Sequence, residues 1–262
     1  MNLENRKGAV RAAEIPKAVL EGLNAGTLES VNLTEWLAVD SLQLLEAILP
    51  ALNIKSAKTI LDSAQELPSL GVMQRTEKMA NLLERAGIKL EFISSHRSDA
   101  VRCWAAFIAV TRAESLASKL EAVKPFAADS HFGVREIAWM AWRPSLIANL
   151  EPGLKLLEKW TKSDDANVRR FATEVSRPRG VWCAHIQRLK NEPGLAIQIV
   201  EPLRSDDAKY VQASVANWLN DASKTQADWV EETCARWLEQ SETKQTKWIV
   251  NRALRSLRKG GE

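Results

Sequence analysis

Glycine is scarce in this chain, 11 among 262 residues, and tyrosine occurs once. That scarcity argues against a β-protein with its frequent tight turns and aromatic strands. The abundance of Leu, Ala, Glu, Lys and Arg favours helices, so an all-α fold is expected. The three cysteines, Cys103, Cys183 and Cys234, are odd in number and widely spaced, which excludes a disulfide framework and a zinc knuckle and fits a reducing cytoplasm. No apolar run approaches the roughly 20 residues of a membrane span, and residues 1–20 are charged throughout with no signal-peptide core. His131 and His185 have no second ligand at i+3 or i+4, so no metal or other cofactor is expected. Phosphate-cradling glycine loops and Gly-x-Ser-x-Gly elbows are missing too, which removes nucleotide hydrolases and serine esterases.

What is present is charge with a pattern. The net charge is only +3, yet residues 1–130 carry 15 Lys and Arg against 16 Asp and Glu, whereas residues 135–190 carry 11 against 6. A basic excess in the middle of the chain points to a polyanion.

A unit recurs along the chain: an apolar-periodic helix, an acidic turn, then a second helix opening with Val and usually Arg. Its instances are Asp99-Ala100-Val101-Arg102, Gly133-Val134-Arg135, Asp164-Asp165-Ala166-Asn167-Val168-Arg169 and Asp206-Asp207-Ala208-Lys209-Tyr210-Val211, with a weaker one near Val250. The valines lie 33, 34, 43 and 39 residues apart, a spacing suited to HEAT-type helical pairs. First helices are expected at Ala113–Val123, Pro152–Trp160, Pro193–Leu203 and Asp228–Leu238. Residues 1–95 are less regular, with helices near Lys7–Leu20, Thr34–Leu49, Ala57–Leu67 and Gln74–Ala86, and read as N-terminal capping repeats. Residues 96–262 then hold the HEAT-like repeats of one continuous, right-handed α-solenoid, a single curved domain with a basic concave face. In that arrangement second helices line the concave side.

Register identifies the informative positions. Counting from each valine, positions +3, +4 and +7 are mostly apolar, the buried face. Positions +2, +6 and +9 share another face. They are Cys103, Phe107 and Val110 in the first repeat, but Arg170, Glu174 and Arg177 in the third, and Ala213, Asn217 and Asn220 in the fourth, with Asp221 one turn beyond Asn217. Glu174 and Asp221 are thus expected to face one cleft. Arg143-Pro144 and Arg177-Pro178 stand at the same register, where proline should stop the helix and leave an arginine at its end. An arginine there also suits the helix dipole. A structural ion-pair triad is the lesser alternative reading of the Arg170, Glu174 and Arg177 run.

The run Val168-Arg169-Arg170-Phe171-Ala172-Thr173-Glu174, followed by Arg177-Pro178-Arg179 and Trp182, with Ser214-Val215-Ala216-Asn217-Trp218-Leu219-Asn220-Asp221-Ala222-Ser223-Lys224 downstream, resembles the HEAT-like repeat DNA alkylation-repair glycosylases. The AlkC branch is the nearer and AlkD the more distant likeness. The match is dense over roughly residues 129–230. The resemblance implies hydrolysis of the N-glycosidic bond of N3- and N7-alkylated purines in double-stranded DNA, by a metal-free, cytoplasmic, nucleoid-associated monomer. It implies Glu174 and Asp221 as catalytic carboxylates with Trp182 closing the first motif. Arg170 matches the motif arginine. The chain departs from the family at Ser130-His131-Phe132, where a Ser-Glu is usual.

The chemistry agrees with these residue types. Carboxylates stabilise an oxocarbenium-like sugar, and a cationic base leaves without a strong general acid. Glu174 is assigned to cation stabilisation and Asp221 to support or water positioning, with the reverse open. Arg135, Arg143, Arg169, Arg170, Arg177, Arg179 and Lys224 are the phosphate-binding candidates. Trp139, Trp142, His131 and Asn217 are candidates to touch the lesion, tryptophan because aromatic faces attract cations. Packing is the bland alternative for tryptophans at helix seams. A non-catalytic protein recognising damaged or branched DNA and a HEAT adaptor for a protein partner are the competing readings.

Overall fold

The computed structural model describes residues 3, 5–52, 54 and 57–259, and all regular structure among them is helical. In chain order the α-helices are α1 (Lys17–Asn24), α2 (Leu33–Ala38), α3 (Ser41–Leu52), α4 (Ala57–Ala64), α5 (Val72–Arg85), α6 (Leu90–Ser94), α7 (Asp99–Arg112), α8 (Leu116–Ala127), α9 (Phe132–Ala148), α10 (Leu150–Trp160), α11 (Ala166–Val175), α12 (Gln187–Asn191), α13 (Ile197–Val200), α14 (Lys209–Ser223), α15 (Ala227–Gln240), α16 (Lys244–Ala253) and α17 (Arg255–Lys259). Contacts group the chain into two units, residues 1–114 with 129–138, and residues 115–128 with 139–262.

In the first unit two helices depart from what their apolar periodicity suggests. Pro16 sits at the N-cap of α1 with φ −59° and ψ 139°, so the helix expected over Lys7–Leu20 begins only at Lys17. The segment expected as one helix over Thr34–Leu49 breaks at Val39, because the Asp40 carboxylate accepts the amides of Leu42 and Gln43 and caps a new helix. Arg6 ties the N-terminal segment down through a buried pair with Glu35 at 2.5 Å.

The Val-Arg signature has a physical cause that recurs in four repeats. The Arg102 guanidinium donates to the carbonyls of His96 and Arg97 at 2.8 and 2.9 Å. Arg135 does the same to Asp129 and Ser130, Arg169 to Ser163 and Asp164, and the Gln212 carboxamide to Asp206 and Asp207. Each side chain reaches residues six and five places earlier, so it pins the turn that precedes its own helix. The valines beside them, Val101, Val134, Val168 and Val211, are buried. Arg102 and Arg169 add a two-pronged bond to an aspartate of the following turn, Asp129 and Asp206 respectively. Arg169→Gln is expected to cost about 1 kcal/mol and Arg169→Ala about 2–3 kcal/mol in urea unfolding, because a carboxamide can serve the carbonyls but not Asp206. Equal costs would mean the carbonyl bonds contribute nothing.

The second unit packs on tryptophan. Trp142, Phe171 and Trp160 form a buried row with ring centroids 6.4 and 4.9 Å apart. Buried Trp218 donates to the Ser176 carbonyl at 2.9 Å. Two expectations fail here. Helix α9 runs through Pro144 to Ala148, since burial of Leu146 two residues onward outweighs the amide lost at proline. The helix expected over Pro193–Leu203 is instead α13 between two short 3-10 turns, each opened around a proline, Pro193 or Pro202.

Candidate active site

Helices α11 and α14 lie side by side, joined by a hydrogen bond between the buried hydroxyls of Thr173 and Ser214. Their apolar positions at +3, +4 and +7, Phe171, Ala172, Val175, Val215 and Trp218, are buried. That docking brings Glu174 near the end of α11 and Asp221 near the end of α14 onto one guanidinium. Arg177 Nη1 lies 3.1 Å from Glu174 Oε2, and its Nη2 and Nε lie 2.7 and 2.8 Å from Asp221 Oδ2. Burial alone would lower the Arg177 guanidinium, but the charges of Glu174 and Asp221 outweigh it and hold it above its ordinary value.

The remaining carboxylate oxygens also face cations. Arg170 Nη2 is 3.5 Å from Glu174 Oε1, and Lys224 Nζ is 3.5 Å from Asp221 Oδ1. The Arg170 guanidinium is stacked 4.1 Å from the centre of the Tyr210 ring, which fixes its plane. Arg179 donates to the backbone carbonyl of Asp221 at 3.3 Å. Glu174 and Asp221 are only 3% and 5% exposed, lying beneath these groups.

The loop after α11 carries Trp182. It is closed by the Ile186 amide on the Pro178 carbonyl at 3.0 Å. Gly180 is required, because a Cβ there would fall 2.2 Å from the Cys183 sulfur and 3.0 Å from its carbonyl oxygen. Trp182 itself has φ +60°, a left-handed conformation costly for a non-glycine residue, and is 50% exposed. Burial pushes the neighbouring Cys183 thiol up, so it stays protonated near neutral pH and is no nucleophile.

Not every residue singled out in the sequence arrives here. Arg143 is 1% exposed, its three donor nitrogens on the carbonyls of Ala184, Val175 and Arg177 at 2.9, 2.7 and 2.8 Å. It therefore presents no surface to a phosphate, and burial lowers its guanidinium from the ordinary value. Trp139 and Trp142 are packed in the core at 3% and 0% exposure. Arg135 and Arg169 serve the turns described above. His131 belongs to the first unit, where Nε2 donates to the Ser30 carbonyl at 2.6 Å and Nδ1 accepts the Gly133 amide at 3.1 Å. It lines a cavity of about 600 Å³ with Arg6, Arg97 and Arg135 that does not include the acid pair.

One contributor escapes the repeat register. Arg255, the first residue of α17, donates to the Asn217 side chain at 3.0 Å, and burial followed by repulsion from Arg252 lowers its guanidinium. Asn220 fixes that end of the chain by donating to the Ala253 carbonyl and the Ser256 hydroxyl at 2.8 and 3.0 Å. The signal is in the sequence: residues 244–259 hold Lys244, Lys247, Arg252, Arg255, Arg258 and Lys259 with no acid at all. Trp248 interleaves them, with Lys209 and Arg252 4.8 and 5.6 Å from its ring centre. Among the described residues no group of three or more His, Cys, Asp or Glu is placed to hold a metal, and no helix is long and apolar enough to cross a membrane.

Residues 136–257, which include the whole site, match the model of the family described as DNA alkylation repair enzyme. The alkylpurine DNA glycosylase AlkC of Pseudomonas fluorescens, solved bound to DNA containing an abasic site analogue, superposes with a TM-score of 0.64 at 26% identity over 82% of this chain and 61% of its own. AlkD2 of Streptococcus mutans shares the fold, with a TM-score of 0.59 at 20% identity over 75% of this chain and 96% of its own. In sequence, the uncharacterised Bacillus subtilis (strain 168) protein YhaZ is 38% identical over 105 residues, which cover 40% of this chain and 29% of that protein. This chain therefore spans about three fifths of AlkC and less than a third of YhaZ. Residues 136–257 thus carry the alkylation-repair pattern, and the chain is similar to AlkC over 82% of its own length and shares the helical fold of AlkD2.

Proposed function

We propose that the protein is a DNA glycosylase that hydrolyses the N-glycosidic bond of cationic N3- or N7-alkylated purines in duplex DNA. The observation that carries this reading is the convergence of Glu174 and Asp221, from two different helices, on Arg177. In the reaction the C1′–N bond breaks with its electron pair passing to the purine, which leaves as a neutral base. The sugar becomes an oxocarbenium-like cation, and a nearby carboxylate lowers the energy of that charge. Water then adds its oxygen to C1′, and its surplus proton passes to a carboxylate and on to solvent. Glu174 is assigned to the cation and Asp221 to the water. Trp182 offers an indole face to the sugar or the lesion. Arg170, Arg177, Arg179 and Lys224 hold the backbone. Nothing beyond water is consumed, so no cofactor enters the scheme.

One observation favours a second reading. Both carboxylates are buried and ion-paired, as expected of a protein that binds altered DNA without cutting it. Release of 3-methyladenine and 7-methylguanine from methylated duplex decides between them. Release by the wild type that falls in Glu174→Gln supports the glycosylase; binding without release supports the second reading.

The same proposal extends the DNA surface to α16. Replacing exposed Lys247 and Arg252 together by Gln is expected to reduce the slope of log K against log [salt] by about 2, since each phosphate contact contributes roughly 0.9. An unchanged slope would mean that this helix does not face the backbone.

A further inference from the structure

The acid pair is masked as it stands. Each of its four carboxylate oxygens has a cation within reach: Arg170 on Glu174 Oε1, Arg177 on Glu174 Oε2 and Asp221 Oδ2, and Lys224 on Asp221 Oδ1. Arg255 adds a further guanidinium one helical turn away, held on Asn217. Two negative charges thus lie under four positive ones. The cations form the more accessible layer, since the Arg177 and Lys224 side chains are more exposed than either carboxylate. Such a cluster repels a cationic purine or a sugar cation, because like charges at these separations interact strongly in a partly buried site. It attracts an anion, and arginine forks match the oxygens of a phosphate.

Resting on the glycosylase reading above, we propose that Arg177, Lys224 and Arg255 form a binding site for the phosphodiester flanking the lesion, and that filling it uncovers Glu174 and Asp221 for the sugar cation. The phosphodiester is then more than a handle for affinity. It neutralises the cations that would otherwise cancel the carboxylates, so the catalytic charge appears only when polymeric DNA is in place. The isolated nucleoside carries the same cationic base but no phosphodiester, and it leaves the acid pair covered. Specificity for damaged DNA over damaged nucleosides follows from electrostatics alone.

The test uses duplexes with a single 7-methyl-2′-deoxyguanosine, either with ordinary linkages or with uncharged methylphosphonates on both sides of the lesion. At saturating wild-type protein, the methylphosphonates are expected to lower the single-turnover rate at least tenfold while weakening binding by much less. In Arg255→Gln, which removes one cation without removing a direct carboxylate partner, that penalty narrows. Equal single-turnover rates on the two duplexes would overturn the proposal. A second readout does not need turnover: the Arg177 Nε–H resonance, assigned by its loss in Arg177→Lys, should shift on adding an unmethylated phosphodiester duplex and not on adding one with a central methylphosphonate tract. If no duplex releases a base, the glycosylase reading falls and this resonance alone decides. Movement keeps the phosphodiester site, and no movement removes it.

Discussion

Arg143→Met should cost about 4 kcal/mol of stability, the largest single loss expected among the arginines discussed above. The side chain is buried and each donor nitrogen satisfies a separate carbonyl: Val175 at the last turn of α11, Arg177 just past it, and Ala184 in the loop beyond. Removing it strands three acceptors, each worth roughly 1–3 kcal/mol when buried and unpaired, offset in part by no longer desolvating a cation. The cation also sits where the dipole of α11 is negative. Lysine brings one ammonium where a planar fork reaches three oxygens, so Arg143→Lys should recover only part of the loss. Urea unfolding with an unchanged slope would measure it, and a loss under about 1 kcal/mol would show that the carbonyls find other partners. The same substitution should loosen the loop of Trp182, because the Ala184 carbonyl is one of its anchors.

Arg143 also shows where the sequence stops being legible. It and Arg177 stand at the same register, nine residues after their valines, and both precede proline. One caps carbonyls and the other bridges two acids. The difference is made by the neighbouring helix, which supplies Asp221 in one repeat and carbonyls in the other, and no window of sequence contains both partners. Conversely, the pairing of Glu174 with Asp221 was readable, because helical periodicity carries a face along each helix and the repeat carries it to the next. The repeat itself was readable because its Val-Arg signature does two jobs at once, burying the valine and pinning the preceding turn.

The helix breaks were less legible for a related reason. At Pro144 packing overrides a rule of local geometry, while at Pro16, Asp40, Pro193 and Pro202 local geometry overrides apolar periodicity. Arg255 was missed although its signal is local. A charge balance summed over long stretches averages residues 244–259 with the acids before them, and six cations without an acid vanish into a neutral total.

Glu174→Gln and Asp221→Asn should each lower the rate of base release about a hundredfold or more at saturating DNA, the loss typical of removing a preorganised group aimed at developing charge. Both substitutions keep the size and a hydrogen-bonding oxygen, so Arg177 retains a partner and the fold should survive, which circular dichroism and unfolding would check. The loss should fall on the rate constant of the bound complex, because binding depends on the cations around the pair. The pattern of the double variant is the sharper result. Arg177 is shared, so when one acid is neutralised the guanidinium is drawn wholly to the other, is less free to turn to the phosphodiester, and leaves that acid partly covered. Each single loss therefore already contains much of the other, and the double variant should be far closer to the worse single than to the product of the two. Multiplying penalties would mean that the acids act independently and that Arg177 does not couple them. Either single variant remaining within about threefold of the wild type would remove that acid from the reaction.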